Sequence, residues 1–178
     1  MNTIADQIAS QLQPLIGLQL SIARRAADLR GFHFGPIKRV EKGTVGDYAL
    51  HIQCAWRLED QNGIVTGRTD LWEPAENTPD IDWDKWDYDK DENLQDNRIR
   101  SVLGGYDPET RSFVNSGDQL VVEDFHTDNY GGVILFLSGG YRLVIFPAGS
   151  QGEDWRLLGP ATEDHHFVIS GGKIEEYP

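Results

Sequence analysis

Leu50, Ile52, Cys54, Trp56 and Leu58 alternate with His51, Gln53, Ala55, Arg57 and Glu59. A period of two sends successive side chains to opposite sides of an extended chain, so the pattern predicts a strand with one buried face. Asn62-Gly63 follows, a strong hairpin signal. A two-residue turn there pairs Gln61 with Ile64, Leu58 with Gly67, Trp56 with Thr69 and Cys54 with Leu71, making residues 48–72 one hairpin. On its polar face Arg57 opposes Arg68, with Glu59 beside Arg68 and Asp70 beside Arg57. That arrangement predicts a ladder of four charges.

Elsewhere the period lengthens. Ile4, Ile8 and Leu12 recur at helical spacing until Pro14 and Gly17 interrupt it, which predicts a first helix over residues 2–12. Ser21 is placed to cap a second short helix through Leu29, with Ile22, Ala23, Ala26 and Leu29 on the apolar side, Arg24 and Arg25 in water, and Gly31 as the stop. Phe32, Phe34 and residues 37–40 read as extended chain broken at Gly35-Pro36. Residues 93–103 predict a further helix with Leu94, Ile99 and Leu103 inward. From Gln119 the pattern is strand after strand, at 120–126, 133–137, 141–146, 155–158, 166–170 and 173–177, with turns at Gly139-Gly140 and Gly171-Gly172. Residues 133–137 and 143–146 are apolar at consecutive positions, predicting central strands covered on both faces. The expected class is α+β: N-terminal helices packed on a curved, mainly antiparallel β-sheet or open barrel, in a single domain over residues 1–178.

Composition restricts the partners. The 178 residues hold 16 basic against 29 acidic side chains, a net charge of −13, and such a surface repels phosphate backbones and anionic lipid. Nucleic acid and membrane are therefore not expected partners, whereas a basic protein is. The single cysteine, Cys54, has no partner for an internal disulfide, the N-terminus lacks the pattern of a secretory signal, and the apolar run at 133–137 is too short to span a bilayer. A cytoplasmic protein is expected.

Candidate chemistry concentrates in residues 76–92. Glu76, Asp80, Asp82, Asp84, Asp87, Asp89, Asp91 and Glu92 stand against Lys85 and Lys90, with Trp83, Trp86 and Tyr88 among them. Like charges resist burial while large aromatics seek it, which predicts an anchored surface loop, with Asp82, Trp83, Asp84, Trp86 and Asp87 as partner-binding residues. Asp80, Asp82, Asp84 and Asp91 mimic the spacing of a calcium loop, but Lys85 stands where glycine is required and Asp91 where a bidentate glutamate is usual. No metal site is expected. His165 and His166 are strand neighbours that point apart, and Cys54 reads as core rather than nucleophile. His126, two residues from Asp124 and from Asp128, suits an acid–base site and equally a polar strand face. The polar side of the 48–72 hairpin offers His51, Arg57, Arg68 and Asp70 to a small anionic ligand. There is no nucleophile elbow, phosphate loop or dinucleotide fingerprint, so no catalytic residues and no cofactor are predicted. The leading expectation is a non-enzymatic acidic binding protein, of the immunity type that neutralises a basic partner. The alternative is a small-anion binder or enzyme on the hairpin face.

Several blocks together carry a resemblance: Leu15-Ile16-Gly17-Leu18, Ala23-Arg24-Arg25-Ala26-Ala27-Asp28-Leu29, Phe32-His33-Phe34-Gly35 and residues 48–58. With Gly67-Arg68-Thr69-Asp70-Leu71-Trp72, Leu143-Val144-Ile145-Phe146-Pro147 and Trp155-Arg156-Leu157 they cover most of the chain. It resembles a family of small uncharacterised bacterial proteins, departing at Ala55, where proline is expected before the tryptophan. The resemblance implies a bacterial, cytoplasmic, single-domain protein and brings no activity or catalytic residue with it.

Overall fold

Thr3 Oγ1 accepts the Asp6 N–H at 3.1 Å while the Asp6 carboxylate accepts the Thr3 N–H at 2.9 Å, and this reciprocal cap starts helix α1 (Ile4–Leu12). The computed structural model describes residues 2–41, 43–76, 78–160 and 166–175. Ile8 and Leu12 bury the expected stripe, and Pro14 lies in a 3-10 turn (Gln13–Leu15) that ends it.

The second expected helix is a β-hairpin. β1 (Leu20–Ala26) and β2 (Leu29–Phe34) pair antiparallel from Ala26 opposite Leu29, with Ala27 in the left-handed region at φ 52°. The reason is burial on both sides: Ile22 and Ala23 leave on opposite faces of β1 and both are fully buried. Two-sided burial erases the alternation and imitates a helical period. The chain continues through the ribbon β3 (Lys38–Val40) and β4 (Gly43–Val45) to β5 (Tyr48–Ile52).

The predicted 48–72 hairpin divides between two sheets. The N–H groups of Gln53 and Cys54 both donate to Asp154 O, at 2.8 and 2.9 Å, and the chain crosses there into β6 (Ala55–Asp60), which pairs with β7 (Gly63–Gly67). The turn sits one residue earlier than expected. Asp60 Oδ1 accepts the N–H groups of Asn62 at 2.7 Å and Gly63 at 3.1 Å, an Asx-type turn that puts Asp60 opposite Gly63. A register shift beyond Glu59 places Leu58 opposite Thr66 and Arg57 opposite Gly67. Trp56 and Leu58 still face inward and Arg57 outward, but residues Arg68–Trp72 form a 3-10 helix instead of extending the strand.

Next come α2 (Leu94–Leu103), β8 (Gly104–Asp107) and β9 (Ser112–Asn115). They are followed by β10 (Val122–Thr127), β11 (Val133–Leu137), β12 (Tyr141–Phe146), β13 (Glu153–Leu158), β14 (His166–Ser170) and β15 (Lys173–Glu175). One sheet has the order β15-β14-β13-β5-β2-β1-β9-β8 and the other β10-β11-β12-β6-β7. Every described pairing in them is antiparallel. The broad α+β class holds, and among the described residues the sheets do not close into a barrel. β12 is central as expected, but β11 and β12 alternate in burial: Leu135, Leu143 and Ile145 are inside while Phe146 is 60% exposed. Helix α1 lies against β10, and α2 against β7 and β9.

Both sheets contribute to one core. Phe32 and Leu50 from the first meet Trp56, Leu135 and Leu143 from the second, and the Phe32 and Trp56 rings meet edge to face at 5.2 Å.

Candidate functional site

The acidic segment leaves the 3-10 helix and returns into α2, and its two ends are stitched together. Ala75 N–H donates to Glu92 O at 3.0 Å and Leu94 N–H to Glu73 O at 2.8 Å. Beneath it lies a network that sequence reasoning missed. Arg30, only 1% exposed, gives Nη2 to Asp96 Oδ1 at 2.7 Å and Nε to Gln95 Oε1 at 3.1 Å. Gln95 passes the connection on, donating Nε2 to Gly67 O at 2.8 Å. Arg25 gives Nε to Asp96 Oδ2 at 2.9 Å, Nη1 to Asp89 Oδ1 at 2.6 Å and Nη2 to Tyr88 O at 3.1 Å. Burial pushes the Asp96 carboxyl up, but the two arginines and Asn93 outweigh it and hold that group below its ordinary value. The loop is thereby tied to β1 through side-chain and main-chain oxygens.

Within the loop, two aspartates build turns. Asp82 O accepts the N–H groups of Lys85 and Trp86, both at 3.0 Å, and Asp87 O accepts those of Lys90 and Asp91, at 3.0 and 2.8 Å. The same aspartates hold Lys85 and Lys90 in ion pairs of 2.7 Å. Lys90, first among the causes, draws the Asp87 carboxyl below its usual range. Asp82 and Asp87 thus shape the loop and are partly neutralised by it, whereas Asp80 and Asp84 hold no ion pair among the described residues. Trp83 is 64% exposed and meets the edge of Trp86 at 6.2 Å. Trp86 is half-buried, its Nε1 has no partner among the described residues, and it lines a cavity of about 430 Å³ with Ile81, Asp82, Lys85 and Asp91. The aromatic surface continues to Tyr88 and Trp72, whose rings lie 6.4 Å apart, with the Arg68 guanidinium 5.6 Å from the Trp72 ring.

All five loop residues predicted to bind a partner therefore share one short, anchored segment. The four predicted for an anionic ligand do not come together. His51 belongs to β5 in one sheet and Arg57 to β6 in the other, and the four-charge ladder is absent. Arg57 instead pairs with Glu59 at 2.5 Å, and Glu59 also holds Arg142 at 2.8 Å. Arg68 pairs with Asp28 at 2.6 Å. Asp70 accepts Thr66 Oγ1 at 2.9 Å and the Gly67 N–H at 3.2 Å. The shifted hairpin register and the 3-10 helix after Gly67 separate these residues.

Cys54 is half-buried, and burial followed by the nearby Asp154 pushes its thiol up to about 12. It is a thiol at neutral pH. His126 is exposed on β10, while Asp124 accepts the Phe125 N–H and Asp128 accepts those of Tyr130 and Gly132, so both neighbouring carboxylates serve backbone. His165 lies outside the described residues. Among the described residues no cluster of histidine, cysteine and carboxylate side chains is arranged to hold a metal ion.

A second polar constellation occupies the outer face of the larger sheet. Arg24, Gly31, His51 and Arg156 stand in one row across β1, β2, β5 and β13, and His33 and His166 lie in the next. Arg156 gives Nε to Glu153 Oε1 at 2.7 Å and reaches His166 Nδ1 at 3.2 Å. The face is covered, since Ile22 and Val168 on it are fully buried. Only the alternation of Gly31 and His33 with Phe32 and Phe34 hinted at it. No family model, no curated protein and no solved structure matches this chain.

Proposed function

We propose that this chain is a non-enzymatic binding protein that docks a basic protein partner on the loop at 78–92, in the manner of an immunity-type protein. The observation that carries the reading is Trp83, held in solvent on a loop whose ends and middle are fixed by hydrogen bonds. A preordered aromatic loses little freedom on binding, and tryptophan is the residue type most enriched where binding energy concentrates. Asp80 and Asp84 present uncompensated charge beside it, and the net charge of −13 speeds encounter with a cationic surface and rejects acidic ones. The cavity beside Trp86 offers apolar walls and a carboxylate rim to a lysine or arginine side chain of the partner. The lone cysteine and the family resemblance favour a meeting in the cytoplasm.

Affinity capture from the native cells, followed by calorimetric titration of the purified captured protein, tests the reading. The expected partner is basic, Trp83→Ala weakens it by about tenfold or more, and Asp84→Asn slows association more than it speeds dissociation. An unchanged affinity for Trp83→Ala refutes the assignment.

A further inference from the structure

We propose that Arg24, His33 and His51 form a binding site for a small oxyanion, a carboxylate or phosphate group, on the outer face of the larger sheet beneath the β3–β4 ribbon. Every other arginine except the exposed Arg111 holds a carboxylate. Arg24 is half-buried and, among the described residues, makes one hydrogen bond, from Nη1 to Thr44 O at 3.2 Å. Burial alone draws its pKa down. A guanidinium removed from water without a counter-ion is unfavourable, and among the described residues no carboxylate is placed against it.

His33 supplies the second observation. It is 2% exposed, and its Nδ1 accepts the Gly46 N–H at 3.3 Å. The neutral ring therefore carries its proton on Nε2, which is buried and finds no acceptor among the described residues. Thr44 Oγ1, on the ribbon that receives Arg24, is likewise buried without a partner among the described residues. Donors have gathered here without acceptors, the inverse of a metal site and the pattern that an oxyanion completes.

His51 closes the group. Its ring centroid is 6.2 Å from that of His33, and its ring leans over Gly31, where an added Cβ would lie 3.4 Å from His51 Cδ2. Gly31 stands between Arg24 and His51 in their row, so the missing side chain is what lets the two approach. Burial, then Arg24, then His51 lower His33 to about 3. Burial, then Arg24, Arg156 and His166, against Glu153, lower His51 to about 4. Both rings are neutral at pH 7, and among the described residues Arg24 is the local charge left uncompensated. Arg24 Nη1 also lies 3.9 Å from the Cβ position of Gly43. Gly43 lines a cavity of about 390 Å³ with Thr110 and Arg111, which gives an approach from solvent. This site shares no residue with the acidic loop and stands or falls apart from it.

Imidazole nitrogen–proton correlation spectra of the full-length ¹⁵N-labelled protein test the proposal. Sodium phosphate and sodium acetate are added separately at constant pH and ionic strength, up to about 10 mM. Saturable movement of the His33 and His51 signals is expected; saturation by phosphate alone identifies a phosphate site and by acetate alone a carboxylate site. Arg24→Gln is expected to weaken binding about tenfold or more while the dispersed spectrum persists. Should that variant not fold, His51→Gln serves in its place, read on the His33 signal. Signals that stay still or drift without saturating in both titrations, or saturation retained in the variant, would overturn the proposal.

Discussion

Changing Asp96 to asparagine should destabilise this protein more than removing the arginine it faces. The carboxylate holds Arg30 and Arg25 at 2.7 and 2.9 Å and sits in the first turn of α2. Without it a guanidinium that is 1% exposed stays in the interior unpaired, which costs about 3–5 kcal/mol. The amide oxygen of the substitute recovers about 1 kcal/mol as a hydrogen bond, and the lost helix-terminus charge subtracts about 0.5 kcal/mol again. The expected net loss is about 3 kcal/mol, or about 6–12 °C in Tm for a chain of this size. Arg30→Met removes the buried charge itself while Asp96 keeps Arg25, and should cost about 1–2 kcal/mol. The double variant should be more stable than Asp96→Asn alone, because no unpaired cation remains. Urea unfolding, compared by midpoint at constant slope, measures all three. A double variant no more stable than Asp96→Asn would refute the unpaired-charge argument, as would a loss below about 1 kcal/mol for Asp96→Asn.

Acid should destabilise the fold before the carboxylates titrate. His33 and His51, depressed to about 3 and about 4, take up protons more readily when unfolded, so their stability is present above about pH 6.5 and falls with pH toward the folded values. The slope is about 1.4 kcal/mol per pH unit for each ring, and His33→Gln should roughly halve it in urea midpoints between about pH 6 and pH 4.5. Asp96, depressed from 3.8, contributes above its unfolded value and loses that contribution only as pH falls below about 4; Asp96→Asn should lack this last phase. Gly46→Ala puts a Cβ 2.5 Å from Phe34 O and should cost about 1–3 kcal/mol by thermal unfolding. Trp83→Ala should leave stability unchanged within about 0.5 kcal/mol while weakening partner binding about tenfold or more. Cys54 should react with a disulfide reagent at neutral pH far more slowly in the folded chain than in urea, and equal rates would contradict a thiol raised to about 12.

What could be read from residue order followed how local its cause was. Helix α1 has its cap and apolar stripe within the stretch from Thr3 to Leu12, and α2 was legible too. In α2, however, Gln95 takes an inward place that apolar spacing assigned to Leu94, because Arg30 and Gly67 O both need a polar partner there. Asp60 moved a turn by one residue through two side-chain hydrogen bonds that spacing does not encode. The passage from β5 to β6 was invisible for a subtler reason. Leu50, Ile52, Trp56 and Leu58 all face the same core from two different sheets, so the alternation runs through the crossing unbroken. The acidic loop was legible as a loop because its composition forbids burial, but its Arg25 anchor was not, since β1 lies more than fifty residues away in the chain. The histidine face gathers side chains from β2, β5 and β14, and its only local trace is the alternation of Gly31 and His33 with Phe32 and Phe34.

Arg24 and Arg25 are consecutive residues whose side chains leave β1 in opposite directions, one to the carbonyl of Thr44 and the other to the carboxylates of Asp89 and Asp96. Sliding that strand by one position would swap the two guanidiniums, strand each among strangers and turn Ile22 and Ala23 the wrong way round as well. The adjacent pair therefore works as a key cut on both edges, admitting β1 between its neighbours in one alignment only.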